Sequence, residues 1–389
     1  MPAVVIIGGG VIGSAIACFT LGDPAFAGSV TVIERDPAYT RASSALSAGS
    51  IRQQFSAPIN IAIGGYGIEF LRAVARHLAV GGEAPAIGLV EPGYLFLATA
   101  GGAATLERNH AVQRALGADV ELLDPVALIR RFPWLSCAGV ALGSHGVTGE
   151  GWFDGYSLLQ AFKRKAGSLG ARYLSAEAAG LTIANGRVSA VRLRDEGEIS
   201  CDLAVNAAGP WARGVARWAG IELPVSARRR SVFVFDTPAQ LPGCPMVIDP
   251  SGVYFRPEGP GFICGVSPDQ ANDPDEPPLE VEHRLFDEII WPVLAARVPG
   301  FAALRQTRAW AGYYEMNTFD ANAIVGAHPA IPNLLFANGF SGHGMQQSPA
   351  VGRAVAELIV HGGFRSLDLT PLGFERLLAR RPLVESNVV

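Results

Sequence analysis

The sequence VVIIGGGVIGSAIACFTLGDPAFAGSVTVIE, residues 4–34, decides the fold of this chain. An apolar run typical of a buried strand enters a glycine-rich turn, and small apolar residues follow as expected for a helix. A second apolar run, Val30–Ile33, ends at Glu34, which lies 21 residues after Gly13. This order of strand, glycine turn, helix and second strand predicts a βαβ unit.

The glycines of this stretch fit the pattern G-x-G-x-x-G at Gly8, Gly10 and Gly13. In a dinucleotide-binding unit the first glycine allows the tight turn, the second admits a pyrophosphate to the backbone, and the third lets the helix pack closely. The helix N-terminus offers N–H groups to the phosphates, and Glu34 would accept hydrogen bonds from ribose hydroxyls. A glycine-rich turn without a ligand is the alternative, but every flanking element agrees with a dinucleotide. The pattern leaves NAD and FAD open.

The composition is that of a well-packed globular protein. Its 389 residues suggest about two to three domains. Hydrophobic residues make up 49% of the chain, and the net charge of −4 gives no footprint for nucleic acid or an anionic membrane. The five cysteines form no C-x-x-C pair, which is typical of reduced thiols, so we expect a cytoplasmic protein. We expect no membrane span and no metal site.

Pieces of a nucleotide-binding fold recur along the chain, near residues 1–80, 150–220 and 320–365. β-rich segments lie between them, and a helix is expected over Leu279–Val298. A simple N-terminal NAD domain would instead keep its βαβαβ halves together. The interleaving predicts an α/β (α+β) fold in which a discontinuous Rossmann-type FAD domain carries an inserted antiparallel β-sheet.

Four further motifs carry a resemblance to a known family. They are Ser43–Ser56 (SSALSAGSIRQQFS), Asn206–Trp211 (NAAGPW), Val253–Gly259 (VYFRPEG) and Asn338–Gln347 (NGFSGHGMQQ). With the N-terminal fingerprint, they make the chain similar to the D-amino-acid-oxidase-like superfamily of FAD oxidoreductases over its whole length. It most resembles the branch with sarcosine and dimethylglycine dehydrogenases and the FAD-containing assembly factors of mitochondrial complex I.

This resemblance implies an FAD-binding domain over residues 1–85, 146–222 and 312–389, and a substrate-binding domain over 86–145 and 223–311. It also implies the residues that border FAD. These are Gly8, Gly10, Val11, Ile12, Gly13, Glu34, Arg35, Ser43, Ser44, Ser47, Ala48, Gly49, Ala179, Ala208, Gly209, Trp211, Gly312, Gly339, Ser341, Gly342, His343, Gly344, Met345 and Gln346. A helix that begins near Gly344 would direct its positive end at the flavin.

The chain also departs from patterns of the family. The cysteine that attaches flavin in monomeric sarcosine oxidases is absent near Trp310–Glu315, and the Ser47-Ala48 loop lacks the attaching histidine of the dimethylglycine and sarcosine dehydrogenases. We therefore expect non-covalent FAD. The lysine that assists the oxygen reaction is unmatched near Ile263–Cys264. The arginine that binds the carboxylate in glycine oxidase and D-amino-acid oxidase corresponds to Tyr314.

Five residues are candidates for substrate binding or catalysis: Arg52, Tyr254, Arg256, Tyr314 and His343. A buried arginine requires a partner, either a substrate carboxylate or a structural acid. Tyr254 and Arg256 lie two apart on a predicted strand and so face one side, which is either the flavin or solvent.

Neighbouring residues gave further expectations about the pocket. Because Tyr313 and Tyr314 would point to opposite faces of a strand, at most one should line the pocket. Arg229 is the member of the Arg228–Arg230 run that could face it, although a solvated edge is the alternative. The three expected pocket segments, 47–54, 253–256 and 341–347, contain no Glu, Asp or Lys.

The resemblance implies oxidation of the C–N bond of a small amino acid or N-alkyl amino acid, giving an imine that hydrolyses. Two alternatives remain: a 2-hydroxy-acid dehydrogenase on the same fold, and a flavoprotein that acts as a partner or assembly factor. The electron acceptor is left open between oxygen, a quinone and an electron-transfer protein, and the chain could form homo- or hetero-oligomers.

Overall fold

A computed structural model describes residues 1–195 and 197–386. The strands are β1 Ala3–Ile7, β2 Ser29–Glu34, β3 Ser50–Ile51, β4 Tyr94–Ala98, β5 Val120–Leu123, β6 Leu142–Gly146, β7 Gly151–Trp152, β8 Arg172–Ser175, β9 Ala178–Ala184, β10 Arg187–Leu193, β11 Glu198–Ser200, β12 Leu203–Asn206, β13 Val225–Asp236, β14 Met246–Ile248, β15 Tyr254–Glu258, β16 Gly261–Gly265, β17 Arg305–Asn317, β18 Ile324–His328 and β19 Ile331–Asn338.

The helices are α1 Val11–Gly22, α2 Pro58–Arg72, α3 Val74–His77, α4 Ala100–Ala115, α5 Pro125–Arg131, α6 Gly155–Ser168, α7 Ala212–Arg217, α8 Trp291–Arg297, α9 Gly344–His361 and α10 Glu375–Leu378. A 3₁₀ turn, Gly209–Trp211, precedes α7, and a π-helical turn, Phe286–Ile290, precedes α8. The helix expected over Leu279–Val298 is therefore shorter. Its first part instead lies along β13, where the Glu282 N–H donates to the Ser231 hydroxyl at 3.1 Å.

The opening stretch forms the middle of a six-stranded sheet with the order β18-β19-β12-β1-β2-β8. All neighbours pair in parallel except β18, which is an antiparallel edge strand. Successive residues of β1 enter separate hydrophobic clusters, with Val4 and Ile6 in one and Val5 and Ile7 in another. Both faces of β1 are therefore buried, as the continuous apolar run requires.

A second sheet of eight strands, with the order β17-β13-β16-β15-β14-β4-β6-β5, is antiparallel except where β14 meets β4. Its strands come from residues 94–146 and 225–317, between the segments that supply the six-stranded sheet. The mixed α/β class with parallel and antiparallel sheets is confirmed.

We propose the domain boundaries given above as the functional division of the chain. The two sheets support it because each draws its strands from one set of segments. β17 is a continuous strand from Arg305 to Asn317, so the boundary between residues 311 and 312 lies inside it. This boundary therefore falls within an edge strand of the eight-stranded sheet, and not between the two sheets.

Helix α9 packs against α1, and Gly352 makes this approach possible because a Cβ there would lie 2.6 Å from the Ala15 Cβ. Pro349 lies inside α9 and has no N–H for the Met345 carbonyl. The Ser348 hydroxyl donates to that carbonyl at 2.9 Å instead. The helix therefore continues past the proline, and its N-terminus stays fixed at the candidate site.

A substitution at Gly13 tests how closely α1 must pack on β1. A Cβ at Gly13 would lie 2.0 Å from the Gly8 carbonyl oxygen, so Gly13→Ala should lower the free energy of unfolding by about 1–3 kcal/mol. Gly167→Ala is the matched control, because a Cβ at this exposed helical position meets nothing within 4 Å. It should stabilise the protein by up to about 1 kcal/mol. Equal melting temperatures in the two variants would contradict the packing role of Gly13.

Candidate functional site

A first cavity of about 230 Å³ lies between the strand ends of the six-stranded sheet and the face of the eight-stranded sheet. Loop 43–50 and the N-terminus of α9 form two of its walls. Its lining residues include apolar side chains, four tyrosines and charged residues. Those used below are Arg52, Tyr94, Arg230, Met246, Ile248, Tyr254, Val266, Tyr314, Glu315 and His343.

A second cavity of about 530 Å³ lies over the ends of β1, β2 and β12. Its lining includes Gly8, Gly10, Glu34, Ala208 and Trp211. The two cavities share the residues Val11, Ile12, Ser43, Ser44 and Glu315. They therefore adjoin and form one elongated site.

The glycine turn after β1 brings backbone to the edge of the second cavity. Gly8 has a φ of 106°, and a Cβ there would lie 2.3 Å from the Ala207 carbonyl oxygen, so only glycine fits. The Glu34 carboxylate accepts the N–H of Gly9 at 2.8 Å and the N–H of Asp36 at 2.8 Å. These bonds hold Glu34 beside the glycine turn, at the carboxyl end of the strands.

Most of the residues expected to border FAD line one of the two cavities. They are Gly8, Gly10, Val11, Ile12, Glu34, Arg35, Ser43, Ser44, Ser47, Ala48, Gly49, Ala208, Gly209, Trp211, Gly312, Gly342, His343, Gly344, Met345 and Gln346. Gly342 makes room for a wall of the first cavity, since a Cβ there would lie 2.2 Å from the Tyr314 ring.

Four of the expected residues line neither cavity. Gly13 packs beneath the turn rather than at its surface. Ala179 is exposed, and its neighbour Ala178 lines the second cavity, so this expectation is displaced by one residue along β9.

Gly339 and Ser341 are buried behind the lining and shape the turn before α9. The Ser341 hydroxyl donates to the Gly339 carbonyl at 3.3 Å and accepts the N–H of Asn317 at 3.0 Å. Ser341 itself has a φ of 49°. These two residues therefore hold the loop that precedes α9 in place, behind the residues that line the cavities.

Arg52 and His343 lie together at one end of the first cavity. A guanidinium nitrogen of Arg52 lies 2.9 Å from the Nε2 of His343, and its plane covers the rings of Phe55 at 4.4 Å and Phe96 at 5.1 Å. Because a guanidinium only donates, Nε2 is the acceptor and the neutral imidazole carries its proton on Nδ1. Burial, and then the positive charge of Arg52, lower the pKa of His343 well below its ordinary value.

A buried carboxyl group supports the segment that carries Arg52. Glu150 accepts the N–H groups of Gln53 at 2.6 Å and Gln54 at 2.9 Å, together with the Gln54 side-chain amide at 2.8 Å. Burial raises the pKa of Glu150 to about 7, against these hydrogen bonds and the charge of Arg52, which lower it. Glu150 therefore fixes the backbone next to Arg52 without lining the cavity.

Tyr254 and Arg256 have separate roles, although the strand pattern predicts that they face one side. Tyr254 lines the first cavity. The Arg256 guanidinium contacts Glu258, and it donates to the Pro257 carbonyl at 2.9 Å and to the Ala48 carbonyl at 2.5 Å. Its charge thus braces the loop that carries Ala48 and does not line the cavity. It is buried, so the solvent-facing alternative is wrong.

The arginine run of β13 places a different member at the cavity from the one expected. Arg230 lines it, with its guanidinium 4.7 Å from the centre of the Tyr314 ring and bonded to both oxygens of Asp273. Arg229 instead bonds to Glu282 at 2.8 Å. The register of β13 against β17, with Arg230 opposite Gly312, decides this orientation.

Both Tyr313 and Tyr314 line the first cavity, so the expectation that at most one of them would do so is wrong, although their side chains have different partners. The Tyr313 hydroxyl donates to the Pro277 carbonyl at 2.8 Å, and its ring meets Trp211 edge-on. Its carbonyl accepts from the Ser43 hydroxyl at 2.5 Å. The ring of Tyr314 forms part of the cavity wall, beside Gly342.

Tyr94 and Glu315 were missed from the sequence. Tyr94 belongs to the inserted sheet and reaches the site only through the pairing of β4 with β14. Glu315 follows Tyr314 and lines both cavities, so the site contains a carboxyl group even though the three expected segments have none. Its place beside Tyr314 was a usable signal.

The residues of the two cavities fit FAD. The second cavity offers the glycine turn and the start of α1 to a pyrophosphate, and it has an acid at the end of β2. The first cavity, which adjoins it, has the N-terminus of α9 at its wall, where the helix dipole favours negative charge. One elongated ligand with an anionic centre and a flat ring suits this arrangement.

A profile of the family described as "FAD dependent oxidoreductase" (DAO) matches residues 3–358. The chain belongs to this family. FAD-dependent oxidoreductase domain-containing protein 1 of Xenopus laevis is 45% identical over 422 residues, which cover 99% of this chain and 84% of that protein. The resemblance inferred from the motifs is confirmed, and the cofactor of the family is FAD.

Two solved structures share the fold. L-proline dehydrogenase from P. horikoshii has a TM-score of 0.85 at 27% identity, covering 98% of this chain and 99% of the other. Glycine oxidase from Geobacillus kaustophilus has a TM-score of 0.81 at 23% identity, covering 96% and 98%. The whole chain, including the inserted sheet, therefore follows the architecture of this family.

No helix within residues 1–195 and 197–386 is both long and apolar enough to cross a bilayer. Across the same residues, no group of three or more His, Cys, Asp or Glu side chains could hold a metal ion. The cytoplasmic location stays a prediction.

The purified protein should be yellow and release its FAD on denaturation. The described residues of the loop near Ser47 and of β17 include neither the histidine nor the cysteine that attaches flavin in relatives. Acid precipitation should leave the flavin absorbance in the supernatant. Flavin that stays with the pellet would contradict non-covalent binding, and a colourless protein would contradict the fit to FAD.

Proposed function

We propose that this chain oxidises the C–N bond of a small amino acid or N-alkyl amino acid and releases an imine that hydrolyses. The observation that carries this proposal is the fully buried guanidinium of Arg52 in a cavity that also presents tyrosine hydroxyls and apolar side chains. FAD, when bound, supplies the acceptor for the two electrons and the hydrogen of the C–H bond next to nitrogen.

Arg52 is the proposed partner of the substrate carboxylate. Burial is the largest cause that lowers the pKa of this guanidinium, because a charge is unfavourable away from water. Its neighbour His343 is neutral, while the charges of Glu385 and Glu150 favour the charged form of Arg52. A carboxylate placed beside Arg52 would form a charge-assisted pair and orient the substrate.

The rest of the cavity suits an uncharged side chain. Met246, Ile248 and Val266 supply apolar surface. Burial raises the pKa of both Tyr94 and Tyr254, so their hydroxyls stay neutral and can donate or accept hydrogen bonds. These groups favour a small amino acid with an aliphatic substituent, including an alkyl group on nitrogen.

An amine fits this site better than a hydroxy acid. A hydroxy acid requires a base for its hydroxyl proton, and the acceptor nitrogen of His343 already accepts from Arg52. A neutral amine has its own lone pair to stabilise the developing iminium cation, so it requires only deprotonation before reaction. His343 then has a positioning role toward Arg52.

We propose that the lining of the second cavity holds the ADP part of FAD and that the first cavity holds the flavin. Gly8, Gly10 and Glu34 would contact the ADP part, in agreement with the βαβ chemistry. Gly342–Gln346 would border the flavin, with the N-terminus of α9 favouring negative charge there.

Arg52 and Arg256 should differ when each is replaced by methionine. Arg52→Met should raise the Kd of a carboxylate substrate by at least about 30-fold, because loss of one partner of a buried charged pair costs about 2–5 kcal/mol. Arg256→Met should mainly lower FAD retention, because it frees the Ala48 carbonyl. Anaerobic flavin bleaching by L-proline, glycine, N-methyl amino acids, D-amino acids and 2-hydroxy acids measures the first effect, and flavin content measures the second.

Two results of that panel would contradict the proposal. Unchanged affinity in Arg52→Met for every reducing compound would remove the carboxylate role. Bleaching by 2-hydroxy acids alone would favour the hydroxy-acid dehydrogenase, and no bleaching by any compound would favour a partner function.

The rate of flavin reduction should rise with pH to a plateau as the bound amine loses its proton. His343 should not produce this rise. Its pKa is lowered well below the ordinary value, so its ring is already neutral over the pH range in which a histidine ordinarily titrates. Stopped-flow reduction of His343→Asn, provided that FAD is retained, should therefore show the same pH dependence. A rate that falls with rising pH would contradict reaction through the neutral amine.

The reduced protein should react slowly with oxygen compared with an artificial acceptor, because the activating lysine of monomeric sarcosine oxidases is unmatched near Ile263 and Cys264. Stopped-flow reoxidation in air measures this rate. Fast reoxidation by oxygen would indicate that the protein is an oxidase and not a dehydrogenase.

A further inference from the structure

Glu315 occupies the place where the two cavities join. It lines both of them, while its backbone belongs to β17. Its carboxyl group accepts the N–H of Gly339 at 3.2 Å and the N–H of Phe340. Its own carbonyl accepts the N–H of Ser341 at 2.9 Å. One residue therefore fixes the turn before α9 and presents an acid to the interior of the site.

We propose that Glu315 binds FAD in its protonated form, as a hydrogen-bond donor to an acceptor oxygen of the cofactor, so that FAD binding takes up a proton at alkaline pH. The position supports this role because a ligand that extends through both cavities must pass Glu315. An ionised carboxylate there would repel the pyrophosphate of the cofactor.

The environment of the carboxyl group favours the neutral acid. Burial raises the pKa of Glu315 to about 8, and the N–H groups of Gly339 and Phe340 lower it only in part. On the neighbouring strand β13, Ala227 lies opposite Glu315. In the adjacent 3₁₀ turn, a Cβ built on Gly209 would lie 4.0 Å from the Oε2 of Glu315. These two neighbours bring no charged side chain to the carboxyl group.

Other ionisable groups face the same two cavities and must be separated from Glu315 in any test. In the described chain they are Arg52, Tyr94, Arg230, Tyr254, Tyr313, Tyr314 and His343 in the first cavity, and Glu34, Arg35, Asp36, Arg41, Glu177 and Glu276 in the second. Burial raises the pKa of Tyr94, Tyr254 and Tyr314, and the pKa of His343 is lowered. These four side chains therefore stay neutral between pH 7 and pH 9.

The direction of the pH effect follows from linkage. Without FAD, Glu315 loses its proton near pH 8. With FAD bound, the hydrogen bond and the nearby phosphate charge move that loss to higher pH. At a pH between the pKa of Glu315 without FAD and its pKa with FAD bound, the complex holds one more proton than the empty protein. FAD affinity therefore falls by about tenfold for each unit of pH in this range. Below about pH 7 both forms are protonated, and affinity should not depend on this group.

FAD affinity measured from pH 6.5 to pH 9.5 tests the proposal on the full chain. Dilution of the flavoprotein at each pH, followed by the fluorescence of released FAD, gives the Kd. The Kd should be constant at low pH and rise by about tenfold per unit above pH 8. Glu315→Gln keeps a donor of similar size but cannot ionise, so its Kd should stay flat. A flat wild-type profile, or a Glu315→Gln profile as steep as wild type, would overturn the proposal.

Glu150→Gln is the matched control, because Glu150 is also a buried acid with a raised pKa but lies outside both cavities. It should keep the wild-type slope, and loss of the slope in this variant would overturn the assignment to Glu315.

A measurement of proton uptake tests the proposal on the wild-type protein without any variant. Calorimetry of FAD rebinding at pH 8.5, in two buffers with different ionisation enthalpies, should show up to one proton taken up per FAD. Zero uptake would refute the proposal even if Glu315→Gln failed to fold.

Discussion

The contact between the turn after β1 and the turn after β12 is the constraint on which the rest of the site depends. The Gly8 N–H donates to the Ile33 carbonyl at 2.9 Å, and the backbone of Ala207 lies where a side chain at position 8 would otherwise be. Three parallel strands thus end at one edge with their backbones exposed to a ligand. The sheet order contributes to this arrangement, because β2 and β12 flank β1 and both run parallel to it.

The arginines around the site show how similar charges acquire different roles. Arg256 and Arg230 are both held by acids, one bracing loop 43–50 and the other facing Tyr314 beside Asp273. Arg52 lies against aromatic rings and a neutral histidine. The cost of burying a cation is offset locally for the first two by a charged partner. Arg52 is also favoured in its charged form by Glu385 and Glu150, and it is its place in the wall of the first cavity that makes it the candidate for a substrate carboxylate.

Two acids with raised pKa values, the buried Glu150 and the partly buried Glu315, extend this reasoning to protons. Glu150 and Glu315 both have raised pKa values, and in both cases burial outweighs the backbone N–H groups that bind the carboxyl. Glu150 supports the backbone of Gln53 and Gln54 behind the cavity wall, whereas Glu315 is exposed to the cofactor space itself. A site that binds an anionic cofactor is consistent with a neutral acid at this point, because an ionised one would oppose binding.

The sequence by itself determined the βαβ unit, the family and the greater part of the expected residues that line the two cavities. These features depend on local patterns: glycine spacing, apolar periodicity, and short motifs whose backbone geometry is set within a few residues. The tertiary structure decided which side chains face the cavity. Arg230 rather than Arg229 faces the first cavity because of the register of β13 and its pairing with the distant Asp273. Arg256 does not line the cavity with Tyr254, because its guanidinium is held by Glu258 and by the distant Ala48 carbonyl. The environment of Glu315 likewise required the meeting of β17 with the turn before α9, because the N–H groups that its carboxyl accepts come from residues that do not adjoin it in the chain.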